Sequence, residues 1–175
     1  MRLRIGEKAR VRRLARLSFA PAMDVSLRQI EDLEEALSLG PVLDGYAEEA
    51  LSEFRDSKLP PGVTERFLRK HFDADEFVMV VAESEAGRTD LGVCLVGPFE
   101  DPFVGDVHPM VMLLYVVPNA RHRRLARALV DGVSGLLEQR GHHTLAARAG
   151  HNDDALISMG ERWGFIRHWE LMLRE

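Results

Sequence analysis

The residues best suited to chemistry lie where an apolar stretch of the chain runs directly into a basic one. From Leu114 to Leu129 the sequence reads LYVVPNARHRRLARAL, with four arginines between Arg121 and Arg127. A helix that begins in this run would present unpaired N–H groups and the positive end of its dipole, and both favour a phosphate or pyrophosphate. The same arginines are also compatible with a solvated basic face that covers the end of a sheet.

The elements on either side of the basic run must position it. Val111 to Val117 is a continuous apolar stretch of strand length, which predicts a strand that is buried on both faces and central in its sheet. Pro118 ends this strand. Beyond the arginines, apolar residues recur at helical spacing as far as Leu137, and Gly141 ends the helix. A buried strand, a tight basic loop and a helix therefore follow one another directly.

The rest of the chain divides into a helical first third and a region richer in strands. Leu3 and Ile5 predict a short strand, and apolar spacing predicts helices over 11–17, 30–37, 43–54 and 64–72, the last capped by Thr64. Changes of period predict strands over 77–83 and 91–96 joined by a turn at 85–90, a strand over 144–149, a helix over 155–163 and a last strand over 165–173. The pattern indicates a mixed α and β architecture.

Length and composition favour one folded domain. The chain has 175 residues, of which 46% are hydrophobic and 29% charged, and no repeat or linker divides it. The net charge of -5 argues against a general nucleic-acid binder, although the arginines of the basic loop keep that class as a third hypothesis. Such a protein would lose affinity steeply as salt rises.

The cysteine content and hydropathy restrict the location and the partners. Cys94 is the only cysteine, so no internal disulfide forms, and no spacing of Cys and His predicts a zinc site. No apolar run reaches the roughly 18 residues that span a bilayer. We therefore expect a cytoplasmic protein with no metal, no nucleic-acid partner and no membrane partner.

The strand, loop and helix unit resembles the signature of the GNAT superfamily of N-acetyltransferases. That signature is Leu-x-Val-x-Pro, then Arg or Gln, two residues, Gly, one residue, and Gly or Ala. Leu114, Val116, Pro118, Arg121 and Ala126 fit it. Elsewhere, the segments similar to the family's second and third strands and to its penultimate turn are Val80-Val81-Ala82, Gly92-Val93 and Trp163-Gly164-Phe165. The likeness therefore spans the chain.

The resemblance implies one N-acetyltransferase domain over residues 1–175 with a mixed α+β fold. Its sheet would be mixed and mostly antiparallel, with about six or seven strands flanked by helices and a splayed strand pair at the cofactor site. The cosubstrate would be acetyl-CoA, and the acceptor a primary amine of a small molecule or peptide that attacks the thioester directly. A helical insert from about Asp24 to Phe72 would form the acceptor lid.

Site residues follow from the resemblance by position. After a bulge, the strand would leave backbone groups to pair with the pantetheine arm, and the basic loop would hold the pyrophosphate. The resemblance also implies an Asn that follows the next strand and contacts the cofactor. Asn152 is assigned to that position, and Asp153 is the alternative. The implied cofactor-binding residues are Tyr115, Val116, Val117, Arg121, His122, Arg123, Arg124, Leu125, Ala126, Arg127 and Asn152.

Two departures from the family pattern bear on affinity and catalysis. Arg124 stands where the family usually has its first Gly, so a large side chain would be costly if the position needs a positive φ. The strand over 111–114 carries no carboxylate, and Asp106 and His108 only precede it. His151 is the predicted general base, and the alternative is a loop histidine beside the cap of the next helix.

These departures motivate a second hypothesis, a noncatalytic acyl-CoA-binding or regulatory module. The acids of the insert would favour a cationic acceptor, or would only form a solvated helical face. A homodimer is also predicted, through an apolar surface, or else a core, made of Trp163, Ile166, Trp169 and Leu171.

Overall fold

The computed structural model describes residues 13–19, 23–52, 58–84, 91–101, 104–121, 124–149 and 153–167. Its strands are β1 (Arg13–Phe19), β2 (Met23–Gln29), β3 (Val78–Ser84), β4 (Gly92–Glu100) and β5 (Val107–Val116). Its helices are α1 (Leu33–Ser38), α2 (Gly40–Ser52), α3 (Val63–His71), α4 (Leu125–Gln139) and α5 (Asp154–Arg162), and a 3-10 turn over Pro118–Ala120 joins β5 to α4.

The strands form one antiparallel sheet in the order β1-β2-β3-β4-β5. Helices cover both faces. Successive residues of a strand point to opposite faces, so Val80 packs under α4 whereas Met79 packs under α1 to α3. Because β3 is buried on both faces, its sequence VMVVA is a nearly continuous apolar run.

Each helical layer has its own core. Leu129 and Val133 of α4 are fully buried against one face of the sheet. On the other face, Leu68 of α3 and Leu43 of α2 are buried with Met79. The site described below lies where the two layers meet the end of β5.

The predictions for the middle and the C-terminal part of the chain are largely confirmed. The helices predicted over 43–54, 64–72 and 155–163, the helix after the basic loop and the strands predicted over 77–83 and 91–96 all form, with ends shifted by a few residues. Thr64 is not the cap of α3, however. Gly62 holds that position at φ 66, and the N–H of Thr64 donates to Asp44 of α2 at 3.0 Å.

The helix predicted over 11–17 is wrong, since residues 13–19 form β1 and pair with β2. The insert predicted to be helical from Asp24 likewise begins with β2, and its first helix starts at Leu33. In β2, Val25 and Leu27 alternate inward with the period of two that is typical of a strand. Pairing with β3 decides the structure. The strand predicted from Leu3 and Ile5 lies outside the described residues.

The strand before the basic loop is not central. β5 lies at the edge of the sheet, and the described residues form five strands rather than the six or seven expected. The predicted strand over 144–149 makes only a single parallel bridge, from Ala146 to Met110. β5 is apolar because helical layers flank it, yet Met112 is 36% exposed. The predicted last strand lies mostly outside the described residues. No helix in the described part of the chain is long and apolar enough to cross a membrane.

Candidate functional site

Beyond its first residues, one side of β5 is not paired with any other described strand. On one side β5 pairs with β4 along its length, and on the other the N–H of Val111 donates to Ala146 at 2.8 Å. No strand occupies that second side beyond this bridge in the ranges that the structure describes. The register with β4 also shifts between Leu95 and Val96, which leaves Met112 as the extra residue of a bulge. The described residues therefore contain a bulge at Met112 and leave the second side of β5 without a paired strand beyond the bridge at Ala146.

Alternation along the strand determines which backbone groups reach this opening. The N–H of Val117 donates to Leu91 at 3.1 Å, on the β4 side. The N–H and C=O of one residue in a strand point to the same edge, and those of the next residue point to the opposite edge. The N–H and C=O groups of Leu114 and Val116 therefore point to the open side. The carbonyl of Val116 accepts a bond from Nε of Arg121 at 2.9 Å. The Arg121 side chain therefore lies over the open edge.

The start of α4 follows immediately. The N–H of Ala128 donates to the carbonyl of Arg124 at 3.0 Å, which leaves the N–H groups of Leu125, Ala126 and Arg127 without a helical acceptor. The side chain of Arg124 does not cap them, and the first turn of α4 contains no acidic residue. Backbone donors and the positive end of the helix dipole therefore lie at the N-terminus of α4.

Arg124 adopts the conformation that the family pattern reserves for Gly. Its φ is 55 and its ψ is 14, and no other non-glycine residue in the described ranges has a positive φ. For a residue with a Cβ, this left-handed conformation costs roughly 1–2 kcal/mol. The position where the family usually has a Gly therefore has a positive φ in this chain, and an arginine occupies it.

We expect an Arg124→Gly variant to be more stable than an Arg124→Ala variant by about 1 kcal/mol. Both substitutions remove the charge and the side chain, so their difference isolates the backbone conformation. Within a helix the order would be reversed, because Ala is the better helix former. Urea unfolding of the two variants measures the difference, and an Ala variant that is as stable as the Gly variant would contradict the left-handed conformation.

A cluster of charged and aromatic side chains lies on the α2 side of the same opening. Tyr115 is 5% exposed, and its ring stacks on Tyr46 of α2 with centroids 4.1 Å apart. Its hydroxyl donates to Oε2 of Glu49, and Nη2 of Arg121 lies 2.8 Å from Oε1 of the same carboxylate. Arg121 also lies over the Tyr115 ring, 5.7 Å from its centroid. One arginine thus links β5, the loop and α2.

The electrostatics of the cluster keep the phenol protonated. Burial, followed by the hydrogen bond to Glu49, raises the pKa of Tyr115 to about 12. The hydroxyl is therefore a hydrogen-bond donor throughout the neutral range. Sequence reasoning counted Glu49 only among the acids of the insert. Its spacing of three residues from Tyr46, which places both on one face of α2, is the signal that could have identified it.

The other predicted site residues are not all brought together. His122, Arg123, His151 and Asn152 lie outside the described residues. Asp153 caps α5 by accepting from the N–H of Leu156 at 2.8 Å.

The remaining candidates point elsewhere or lie far away. Leu125 is buried in the core, and the side chain of Arg127 pairs with Asp131 at 2.8 Å along α4. Asp106 is exposed and immediately precedes β5, and His108 is its exposed second residue. Four residues of strand, roughly 13 Å, separate His108 from Met112 at the bulge.

Comparison with known proteins places this geometry in a fold. The aminoglycoside N-acetyltransferase AAC(6')-Iy, solved in complex with CoA, superposes with a TM-score of 0.66 at 13% identity, over 90% of this chain and 97% of that one. The chain has the GNAT fold. A ribosomal-protein-alanine N-acetyltransferase from Brucella melitensis biovar Abortus 2308 gives 0.56 at 17%, over 86% and 98% of the two chains.

A third structure with the GNAT fold is the aminoglycoside 6'-N-acetyltransferase AAC(6')-Ih from Acinetobacter baumannii. It gives a TM-score of 0.61 at 14% identity, over 86% of this chain and 97% of that one. No protein-family model matches the sequence, and a search of curated protein sequences gives no significant match. The likeness therefore lies in the GNAT fold, at low sequence identity.

The cysteine of this chain is a core residue. Cys94 is buried in β4 opposite Leu114, as expected for a small core residue. No group of three His, Cys, Asp or Glu side chains that could hold a metal ion occurs among the described residues.

Of the predicted dimer surface, Trp163 is half-buried, Ile166 is 83% exposed, and Trp169 and Leu171 lie outside the described residues. Dimerisation remains a prediction.

Proposed function

We propose that this chain is an acetyl-CoA-dependent N-acetyltransferase in which a primary amine attacks the thioester directly. One observation carries the proposal: the open edge of β5 is followed along the chain, after a 3-10 turn and the basic loop, by the N-terminal turn of α4, whose N–H groups lack helical acceptors. An extended polar arm and a pyrophosphate, joined in one ligand, match these two features in order. The CoA bound in AAC(6')-Iy supports the same assignment through the shared fold.

Most of the predicted cofactor residues have a role in this proposal. The pantetheine arm pairs with the open-side peptide groups of the strand that includes Tyr115 and Val116, and Val117 keeps that strand attached to β4. The pyrophosphate accepts bonds from the first-turn N–H groups, Ala126 among them. His122 belongs to the same loop, Arg123 and Arg124 add positive charge to it, and Asn152 contacts the cofactor as the family resemblance implies.

The chemical step requires a neutral amine and a stabilised oxyanion. A backbone N–H on the open edge of β5, next to the bulge, would stabilise the oxyanion of the tetrahedral intermediate. His151 is proposed as the general base, acting directly or through water. The thiolate of CoA then leaves.

The acceptor is proposed to be an amine of a small molecule or peptide, bound on the side of α1 to α3. AAC(6')-Iy has also been solved with a bisubstrate analog, CoA-S-monomethyl-acetylneamine, which joins CoA to an amine acceptor in that protein. The second candidate function is a noncatalytic acyl-CoA-binding module. It is favoured by the sequence of β5, VHPMVMLLYV, which contains no carboxylate.

We expect one-site, saturable binding of CoA and acetyl-CoA, measured by calorimetry, with a matching rise in thermal stability because the ligand binds the native state. An Ala126→Leu variant should lose about tenfold or more in affinity, since a bulky side chain in the first turn of α4 would obstruct the pyrophosphate. Ala155→Leu, an exposed position on α5, is the matched control and should bind normally.

Turnover distinguishes the two candidate functions. An acetyltransferase releases the CoA thiol when a panel of primary amines is added, whereas a binding module binds the cofactor and releases none. Failure of the wild-type protein to bind CoA at millimolar concentration would overturn both.

A further inference from the structure

The Arg121 side chain donates hydrogen bonds to two groups near the proposed cofactor site, the carbonyl of Val116 and the carboxylate of Glu49. Its Nε donates to the open-side carbonyl of Val116 at 2.9 Å, and its Nη2 pairs with Glu49 at 2.8 Å. The arginine side chain is 46% exposed and that of Glu49 is 49% exposed, so solvent reaches the pair and a stronger anion can compete for the arginine. In this arrangement, Arg121 covers the backbone position at which an extended ligand would bind along β5.

Cofactor binding would require this arrangement to change. The inference rests on the proposed function, in which the pantetheine arm pairs with the open edge and the pyrophosphate binds beside the loop. A pantetheine arm along β5 must displace Arg121 from Val116. A pyrophosphate gives the displaced guanidinium a doubly charged partner with bidentate geometry, which binds arginine more strongly than a half-exposed carboxylate does.

We propose that Glu49 and the cofactor compete for Arg121, so that cofactor binding withdraws the arginine and leaves the Glu49 carboxylate with one positive neighbour fewer and more accessible to a cationic amine. The donor hydroxyl of Tyr115 stays on Oε2 and keeps the carboxylate oriented towards the opening. Before the cofactor binds, Arg121 neutralises Glu49 and repels an ammonium group. Withdrawal of the arginine therefore lowers the electrostatic repulsion that a cationic amine meets near this carboxylate.

A double-mutant cycle on CoA binding tests the competition. Glu49→Gln keeps the size of the side chain and removes its charge, so CoA should bind about two- to fivefold more tightly, the range expected for a half-exposed ion pair. The gain should disappear when Glu49→Gln is made in an Arg121→Gln background, because the competed group is then absent. Glu48→Gln, at the exposed neighbouring position on α2, is the control and should leave the affinity unchanged.

Chemical labelling of the wild-type protein tests the uncovering independently of any substitution. A water-soluble carbodiimide with glycine ethyl ester, itself a small primary amine, modifies accessible carboxylates, and peptide mass spectrometry gives the extent at each site. Saturating acetyl-CoA should increase labelling of Glu49 at least twofold, while labelling of Glu48 stays constant.

The outcomes separate this inference from the proposed function. Absence of CoA binding by the wild-type protein overturns the proposed function. If CoA binds but Glu49→Gln binds no more tightly, or its gain survives in the Arg121→Gln background, the competition is refuted. A fall or no change in Glu49 labelling on cofactor binding refutes the uncovering in the same way. Thermal midpoints of the wild-type protein, Glu49→Gln, Arg121→Gln, the double variant and Glu48→Gln verify that each variant is folded.

Discussion

Leu129→Ala should lower the free energy of unfolding by about 2–5 kcal/mol. Leu129 is fully buried in the middle of α4, and its Cδ1 lies 3.2 Å from where a Cβ on Gly92 would be. The truncation removes apolar contacts from the layer that supports β4 and β5, and the well-packed neighbours can close only part of the cavity. Guanidinium unfolding at constant pH measures the loss.

Ile166→Ala is the matched control for this measurement. Ile166 is 83% exposed, so its truncation should change stability by less than about 0.5 kcal/mol. A loss below about 1 kcal/mol for Leu129→Ala would mean that α4 does not pack on the sheet as described. The position of the proposed pyrophosphate turn would then be wrong as well.

The Cys94 thiol should react with Ellman's reagent about a thousandfold more slowly in the folded protein than in guanidinium. Burial raises the pKa of Cys94 from its ordinary value of 9.0 to about 12, and the side chain is fully buried. The thiolate is the reactive form, and three pKa units lower its population by about a thousandfold. Absorbance at pH 8, with and without denaturant, measures both rates.

The raised pKa of Cys94 also predicts how the stability of the protein changes at high pH. The folded state keeps the Cys94 proton above pH 9, where the unfolded state loses it, so the contribution is intact below pH 9 and is lost as the pH rises towards 12. The slope from this group is at most about 1.4 kcal/mol per pH unit. Cys94→Ala should unfold with a smaller alkaline dependence by that amount. Fast labelling of the native thiol, or an unchanged alkaline slope, would contradict the burial.

An unreactive cysteine also helps the assay of the proposed function. Because Cys94 is the only cysteine, thiol released from acetyl-CoA would be measured over almost no signal from the folded protein. Turnover and simple binding can therefore be distinguished with one reagent.

Local sequence patterns predicted the unit that carries the candidate site. Pro118 stops the strand, apolar residues at helical spacing define α4, and Gly141 ends it with a φ of 90. The family resemblance also identified position 124 as one that favours Gly, and the positive φ of Arg124 agrees with it. These features depend on residues that are close together in the chain, where φ preferences and side-chain periodicity act directly.

The positions of the strands in the sheet could not be predicted in the same way. The residues of β1 satisfy helical and strand spacing about equally well, and pairing with β2 decides between the two. β5 has the composition of a central strand because helices cover its faces, yet it is the last strand of the sheet in the part of the chain that the structure describes. The apolar composition of a strand indicates that its side chains are buried. A helical layer buries a side chain as effectively as a neighbouring strand does, so composition does not fix the position of the strand in the sheet.

The sequence by itself determined the class of fold, the strand, loop and helix unit, and the basic character of the loop. Only the tertiary structure decided what those residues contact. The carboxylate of Glu49 meets Tyr115 and Arg121 across 66 and 72 residues of chain, a pairing that no local pattern specifies. Such contacts arise because α2 packs over the end of β5, which depends on burying the whole helical layer rather than on the residues of the site.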